Sequence, residues 1–241
     1  MINIAHRGLS AKAPENTLYS FDYAIALGMF HLEFDVQLTS DNLPVVIHDE
    51  TVERTTDSNG LVNSFNFEEI TSLIALNKFK NMDSIDPTLL CIPSLQDVLL
   101  RYLGQAHYYI ELKSSESHLP GIVAEVLEEC DALKYSSLSP QLAPGLTIIS
   151  FSLEQVMRSQ MLLPKVRHGW LRYDFNRIDI DLVVKNNLHG IYPYVQFIQK
   201  DLVQYAIERD VGVGVWGIEK ESEYRDLLGM GVHGATVNWL P

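Results

Sequence analysis

Three short patterns in this sequence place charged side chains where chemistry needs them. Glu33-Phe34-Asp35 is a pair of carboxylates two residues apart, Glu111-Leu112-Lys113 sets an acid and a base at the same spacing, and His6-Arg7 joins an imidazole to a guanidinium. In a strand the side-chain period is two, so each spaced pair shares one face, with about 7 Å between its members along the chain. One such pair alone is ordinary surface charge or the partner of an arginine. Two pairs at strand ends bring three carboxylates together, and their mutual repulsion and lost hydration need relief. A hard divalent cation relieves both, and oxygen ligands suit Mg²⁺ or Ca²⁺ rather than zinc, so Glu33, Asp35 and Glu111 are candidate metal ligands. His6 and His48 are the candidate proton-transfer groups, because imidazole titrates near neutrality and one ring can accept while the other donates. Arg7 and Lys113 are fixed positive charges suited to an anionic group such as phosphate. Phe151 and Trp216 offer an apolar wall beside them, or simple packing.

These residues need elements that bring them to one place. Eight apolar β-rich runs recur, at 2–6, 31–36, 107–113, 146–151, 166–172, 188–194, 211–217 and 234–238. Helical patterns follow most of them, near 17–27, 94–103, 119–130, 152–162, 179–186, 199–209 and 221–229. Asn16 ahead of the first helical pattern, Ser94 ahead of the second and Ser152 ahead of the fourth read as start signals, and Gly28 and Gly104 as stops. Eight βα alternations in 241 residues predict one closed parallel (β/α)8 barrel, a TIM barrel, spanning 1–241. The residues singled out then fall at the C-terminal strand ends, where such barrels carry their sites. Between the second strand and the next helix the chain departs from the repeat. A strand-like run, PVVIHD, is followed by a polar, turn-rich stretch, read as an insertion at about 50–93. No eighth helix has room after the last strand, so the ring is expected to be open there or filled by another segment.

Composition narrows the function. Hydrophobic residues make up 46% and charged residues 20%, which is globular. Eighteen basic against 31 acidic residues give a net charge of −13, which disfavours nucleic acid and anionic lipid as partners. Cys91 and Cys130 are expected to be two buried thiols rather than a bridge. No apolar run approaches a membrane span and no signal peptide precedes His6, so a cytoplasmic protein without a membrane anchor is expected. The sequence leaves the oligomeric state open.

His6-Arg7-Gly8, Pro14-Glu15-Asn16-Thr17, Glu33-x-Asp35-Val36, Thr39-x-Asp41, Pro44-Val45-Val46-x-His48-Asp49, Arg54-Thr55-Thr56 and Glu111-x-Lys113, in that order, resemble the glycerophosphodiester phosphodiesterase family. The match is dense over 4–60 and continues more thinly through Ser150-Phe151 and Val215-Trp216 to the final strand. The resemblance implies a barrel with a small insertion after its second strand and hydrolysis of a glycerophosphodiester to glycerol 3-phosphate and an alcohol. It implies Glu33, Asp35 and Glu111 as metal ligands, His6 and His48 as an acid/base pair, and Arg7 and Lys113 as phosphate-binding residues. Glu15 and Asn16 match polar residues that line or support the site. One departure is visible: where family members often carry Thr-Asp near the end of the last strand, this chain has Thr236-Val237-Asn238-Trp239. The attacking group is either water or the substrate's own hydroxyl, which would pass through a cyclic phosphate. Two other readings stand beside this one. A phosphodiesterase that cleaves phospholipid headgroups would use the apolar residues of 61–85, namely Leu61, Phe65, Phe67, Leu73, Ile74, Leu76 and Phe79, to dock on lipid. A non-catalytic phosphodiester-binding protein would not need the two histidines.

Overall fold

The alternation of the apolar runs builds a closed ring. The structure, a computed structural model, describes residues 1–76, 79, 82–113, 116–136 and 143–241. Its strands are β1 (Ile2–His6), β2 (His31–Leu38), β3 (Pro44–Val46), β4 (His107–Leu112), β5 (Gly145–Ser150), β6 (Arg167–Arg172), β7 (Gly190–Pro193), β8 (Gly212–Ile218) and β9 (Gly234–Val237). All but β3 are parallel, and β1 pairs with both β2 and β9, closing the barrel. The helices are α1 (Leu18–Ala26), α2 (Phe67–Thr71), α3 (Leu95–Arg101), α4 (Leu119–Glu129), α5 (Leu153–Leu162), α6 (Arg177–Lys185), α7 (Lys200–Ile207) and α8 (Glu221–Leu227). All except α2 lie in the βα repeat, in the seven expected places.

Period two sorts each strand into an outer and an inner face. On β2, Leu32, Phe34 and Val36 join the main core beneath the helices, with Tyr108, Ile110 and Leu112 of β4. The alternate residues point inward. Ile4, Tyr109, Ile149, Leu171 and Tyr192 pack as a layer inside the barrel, with Phe151 and Trp216 above. The barrel is therefore filled, and its inner layer forms the floor on which polar strand ends stand. Gly169 makes that layer possible, because a Cβ there would lie 2.1 Å from the Tyr192 ring.

Local signals place the helices. Ser94 caps α3 reciprocally with Asp97, and the Ser152 side chain accepts from the amide of Gln155 at the start of α5. At α1 the expectation is corrected: Thr17, not Asn16, is the cap, with Oγ1 accepting from the Ser20 amide at 3.1 Å. Asn16 instead has a left-handed backbone (φ 56°) and donates its side-chain amide to Asp35 Oδ2. The cysteines also differ in part, since both are free but only Cys130 is buried and Cys91 is half-buried.

The segment between β2 and α3 carries a small core of its own, from Val45, Ile47, Val52, Val62, Ile70, Ala75 and Ile92. Phe65, Phe67 and Leu73 pack against it, so much of the apolar side chain of 61–85 is used internally, while Leu61 and Ile74 are exposed. Residues 77–78 and 80–81 of the expected insertion lie outside the described residues. β3 runs antiparallel to the end of β2 and carries the chain back over the barrel mouth. There Gln37 Nε2 meets the carbonyls of Ile47, His48 and Asp49 at 3.1, 2.9 and 2.6 Å, fixing the backbone that bears His48. Beyond β9, Trp239 packs on the main core and the Asn238 carbonyl accepts from the Ala11 amide at 2.9 Å, so the β1–α1 loop lies against the end of β9. Among the described residues no helix is long and apolar enough to cross a membrane.

Candidate active site

The structure brings the predicted charged residues to one mouth of the barrel. His6 ends β1. Its Nδ1 lies 2.7 Å from Asn238 Oδ1 and its Nε2 lies 3.9 Å from Glu33 Oε2. Burial, reinforced by the neighbouring Arg7 charge, lowers its pKa to about 4 against the opposing pull of Asp35 and Asn238. The chain then turns sharply, with Arg7 and Gly8 both at positive φ (57° and 79°). A Cβ at Gly8 would sit 2.3 Å from Ser20 Oγ, so only glycine lets this turn close against α1. The turn aims the Arg7 guanidinium back across the site, with Nε 3.1 Å from Asp35 Oδ2 and Nη1 2.8 Å from Glu15 Oε1. The Arg7 amide donates to Glu33 Oε2 at 3.2 Å.

Glu33, Asp35 and Glu111 are buried, and each offers an oxygen within 4.8 Å of the others. Burial and the charge of Asp35 raise Glu33 well above the usual carboxylate range and raise Glu111 to about 7. Burial would raise Asp35 too, but Arg7 and Lys113 hold it well below its ordinary value. Lys113, one residue past β4, lies 2.8 Å from Glu111 Oε1 and 3.4 Å from Asp35 Oδ1. Asp35 Oδ2 accepts from Asn16 Nδ2 at 2.9 Å, while Oδ1 is buried without a hydrogen-bond partner. Three buried carboxylates, two of them with raised pKa values and one with an oxygen that accepts no hydrogen bond, are a donor set that fits a hard dication.

His48 reaches the mouth from the segment after β3. Its Nδ1 lies 2.5 Å from Asp49 Oδ1, which leaves Nε2 as the nitrogen free for other work. Burial lowers its pKa, with Asp35 opposing. His6, Arg7, Glu33, His48, Glu111 and Lys113 form the charged wall of one cavity, and Ile149, Phe151, Leu171, Tyr173, Tyr192 and Trp216 the apolar wall. Phe151 stacks on Tyr173 with ring centroids 5.0 Å apart, and Trp216 meets both edge-on at 5.4 and 5.3 Å. Trp216 is pinned through Nε1, which donates to the carbonyls of Tyr192 (2.9 Å) and Arg172 (3.2 Å). Such a two-faced cavity suits a small molecule with an anionic centre and a carbon skeleton.

Glu15 and Asn16 stand behind this cavity rather than lining it. Glu15 is held by Arg7 and Arg54, and the two guanidinium groups lower its pKa to about 2 against its burial. Sequence reasoning missed Asp49 and Asn238 as the partners of the two histidines, Gln37 as the brace of the His48 segment, and Tyr173 in the aromatic wall. The adjacency of His48 and Asp49 was the available signal for the first. Asn238 was visible only as a departure from a pattern, and Tyr173 gave no signal.

Comparison with known proteins bears on this geometry. A model of the glycerophosphoryl diester phosphodiesterase family matches residues 6–239. A glycerophosphodiester phosphodiesterase of Caldanaerobacter subterraneus subsp. tengcongensis is 31% identical over 234 residues, which cover 96% of this chain and 91% of that protein. One from Bacillus subtilis is 29% identical, over 99% of this chain and 84% of that one. Among solved structures, a phosphodiesterase of Oleispira antarctica in complex with the product sn-glycerol-3-phosphate superposes with a TM-score of 0.85 at 26% identity, over 99% of this chain and 93% of its own.

Proposed function

The chain belongs to the glycerophosphoryl diester phosphodiesterase family and is a phosphodiester hydrolase, and on that premise we propose that it cleaves glycerophosphodiesters to glycerol 3-phosphate and an alcohol, with a divalent cation on Glu33, Asp35 and Glu111 and with His6 and His48 as the acid/base pair. The observation that carries this reading is one cavity lined by Glu33, Glu111, two imidazoles and two cations, with Asp35 buried within 4.8 Å of both carboxylates.

The residues divide the work. Arg7 and Lys113 bind the phosphate oxygens and stabilise the charge that grows on them as the P–O bond breaks. Glu33, Asp35 and Glu111 would hold the Mg²⁺ or Ca²⁺, which when bound would offset phosphate charge and favour ionisation of a neighbouring hydroxyl. His6 and His48 each have Nδ1 committed to a side-chain oxygen, so each presents Nε2 for proton transfer. One ring takes the proton of the attacking water, or of the substrate's own hydroxyl with water then opening the cyclic phosphate, and the other protonates the departing alcohol oxygen. Phe151, Tyr173 and Trp216 cover the carbon skeleton and exclude water from that side. The packing of Phe65, Phe67 and Leu73 against the small second core favours a soluble diester over a lipid surface.

Enzyme-coupled detection of glycerol 3-phosphate from glycerophosphocholine and glycerophosphoethanolamine, with Mg²⁺, Ca²⁺ or EDTA, tests the proposal. Release with a cation and none with EDTA is expected. No release from either diester with any metal would overturn it.

A further inference from the structure

We propose that Arg54 is a positioning residue for the reaction, holding His48 in register with the phosphate-binding Arg7 through Asp49 and Glu15; this rests on the reading of His48 given above. Arg54 lies in the segment after β3 and contributes no side chain to the cavity wall. Its guanidinium is forked onto two carboxylates. Nη1 and Nη2 donate to Glu15 Oε2 and Oε1, both at 2.7 Å. Nε donates to Asp49 Oδ2, and Nη2 to Asp49 Oδ1 at 3.0 Å. Each carboxylate then passes the constraint inward: Glu15 Oε1 also accepts from Arg7 Nη1 at 2.8 Å, and Asp49 Oδ1 lies 2.5 Å from His48 Nδ1.

The result is a chain that runs from the His48 imidazole through groups of alternating charge, Asp49, Arg54, Glu15, Arg7 and Asp35. Glu15 belongs to the loop between β1 and α1, whereas Asp49 and Arg54 belong to the segment that swings over the barrel. Arg54 is thus the joint between the part that carries His48 and the part that carries His6 and Arg7. Only a planar fork donates to two carboxylates in this way, because a lysine ammonium is a point charge with three hydrogens. Without Arg54 the Asp49 carboxylate keeps only the imidazole, and the imidazole loses its fixed angle. Arg7 loses the support behind Glu15 but keeps its ion pair with Asp35, and Lys113 keeps Glu111 and Asp35, so turnover suffers far more than substrate binding.

The test is a double-mutant cycle read in kcat and KM for glycerophosphocholine with Mg²⁺. Arg54→Met is expected to lower kcat by ~10–100-fold, the usual cost of losing the partner that orients an active imidazole, with KM within ~3-fold. In a His48→Ala background the same change is expected to alter the residual rate by less than ~3-fold, because the group it serves is gone. A purely structural role would instead multiply the two losses. Arg54→Lys is run through the same cycle, so that the question is answered even where Arg54→Met fails to fold. A kcat within 2-fold of wild type for both Arg54 variants, or losses that multiply with His48→Ala, would overturn the positioning role alone. A His48→Ala enzyme with wild-type turnover would overturn both this role and the proposed function.

Discussion

Cation binding should stabilise this protein, and the carboxylate triad sets both the size and the pH dependence of the effect. Without a cation, burial and the charge of Asp35 raise Glu111 from 4.5 to about 7. A carboxyl raised on folding binds its proton more tightly in the native state, so its contribution to stability is whole below pH 4.5 and is lost as pH climbs through 7. A rise of this size corresponds to on the order of 3 kcal/mol of stability forgone above pH 7. Glu33, raised for the same reasons, acts in the same direction. A cation that binds only the native state adds about 2.7 kcal/mol at a hundred times its Kd. In a chain of 241 residues each kcal/mol moves Tm by about 2–4 °C, so saturating Mg²⁺ or Ca²⁺ should raise Tm by about 5–10 °C at pH 8. At pH 5, below the raised Glu111 value, protons compete with the cation for the triad, and the shift should shrink to a small fraction of that. Melting curves followed by circular dichroism at pH 5 and pH 8, in EDTA and in each cation, measure this directly. Equal Tm with EDTA and with cation at pH 8, a shift as large at pH 5, or a shift that survives Asp35→Asn would rule out cation binding at the triad.

Two further outcomes are expected. Asn238→Asp places a carboxylate where His6 Nδ1 now meets an amide oxygen at 2.7 Å. The His6 pKa, now lowered to about 4, should rise by roughly 1–3 units in an NMR titration of the ring, and an unmoved titration would contradict the contact. Gly169→Ala forces a methyl to within 2.1 Å of the Tyr192 ring and should cost about 1–3 kcal/mol, read as a lower denaturant midpoint at unchanged slope.

The fold was legible because its strands are written as apolar runs and its turns as glycines and caps. Glu33 and Asp35 illustrate why the site was legible too: period two on a strand forces both carboxylates to one face, and the barrel fixes which face and which end. Glu111 and Lys113 followed by the same rule, and Lys113 indeed bonds Glu111. What the sequence hid are contacts between residues far apart in it. Asn238 meets His6 across 232 positions and Arg54 meets Glu15 across 39, and no local pattern encodes either pairing. Asn16 misled for a related reason. It and Thr17 are both good caps, and the choice went to Thr17 because Asp35, on another strand, engages the Asn16 amide. Tyr173 joins the aromatic wall from beyond the end of β6, where side-chain direction follows no period.

The most direct test of the account is to follow glycerophosphocholine by ³¹P NMR in the presence of Mg²⁺ with the wild-type protein and with His6→Ala and His48→Ala. The wild-type protein is expected to convert the diester signal to that of glycerol 3-phosphate, and each variant, folded by circular dichroism, to do so ~10²–10⁴-fold more slowly. Phosphocholine as the product, or a histidine variant that turns over at the wild-type rate, would contradict this.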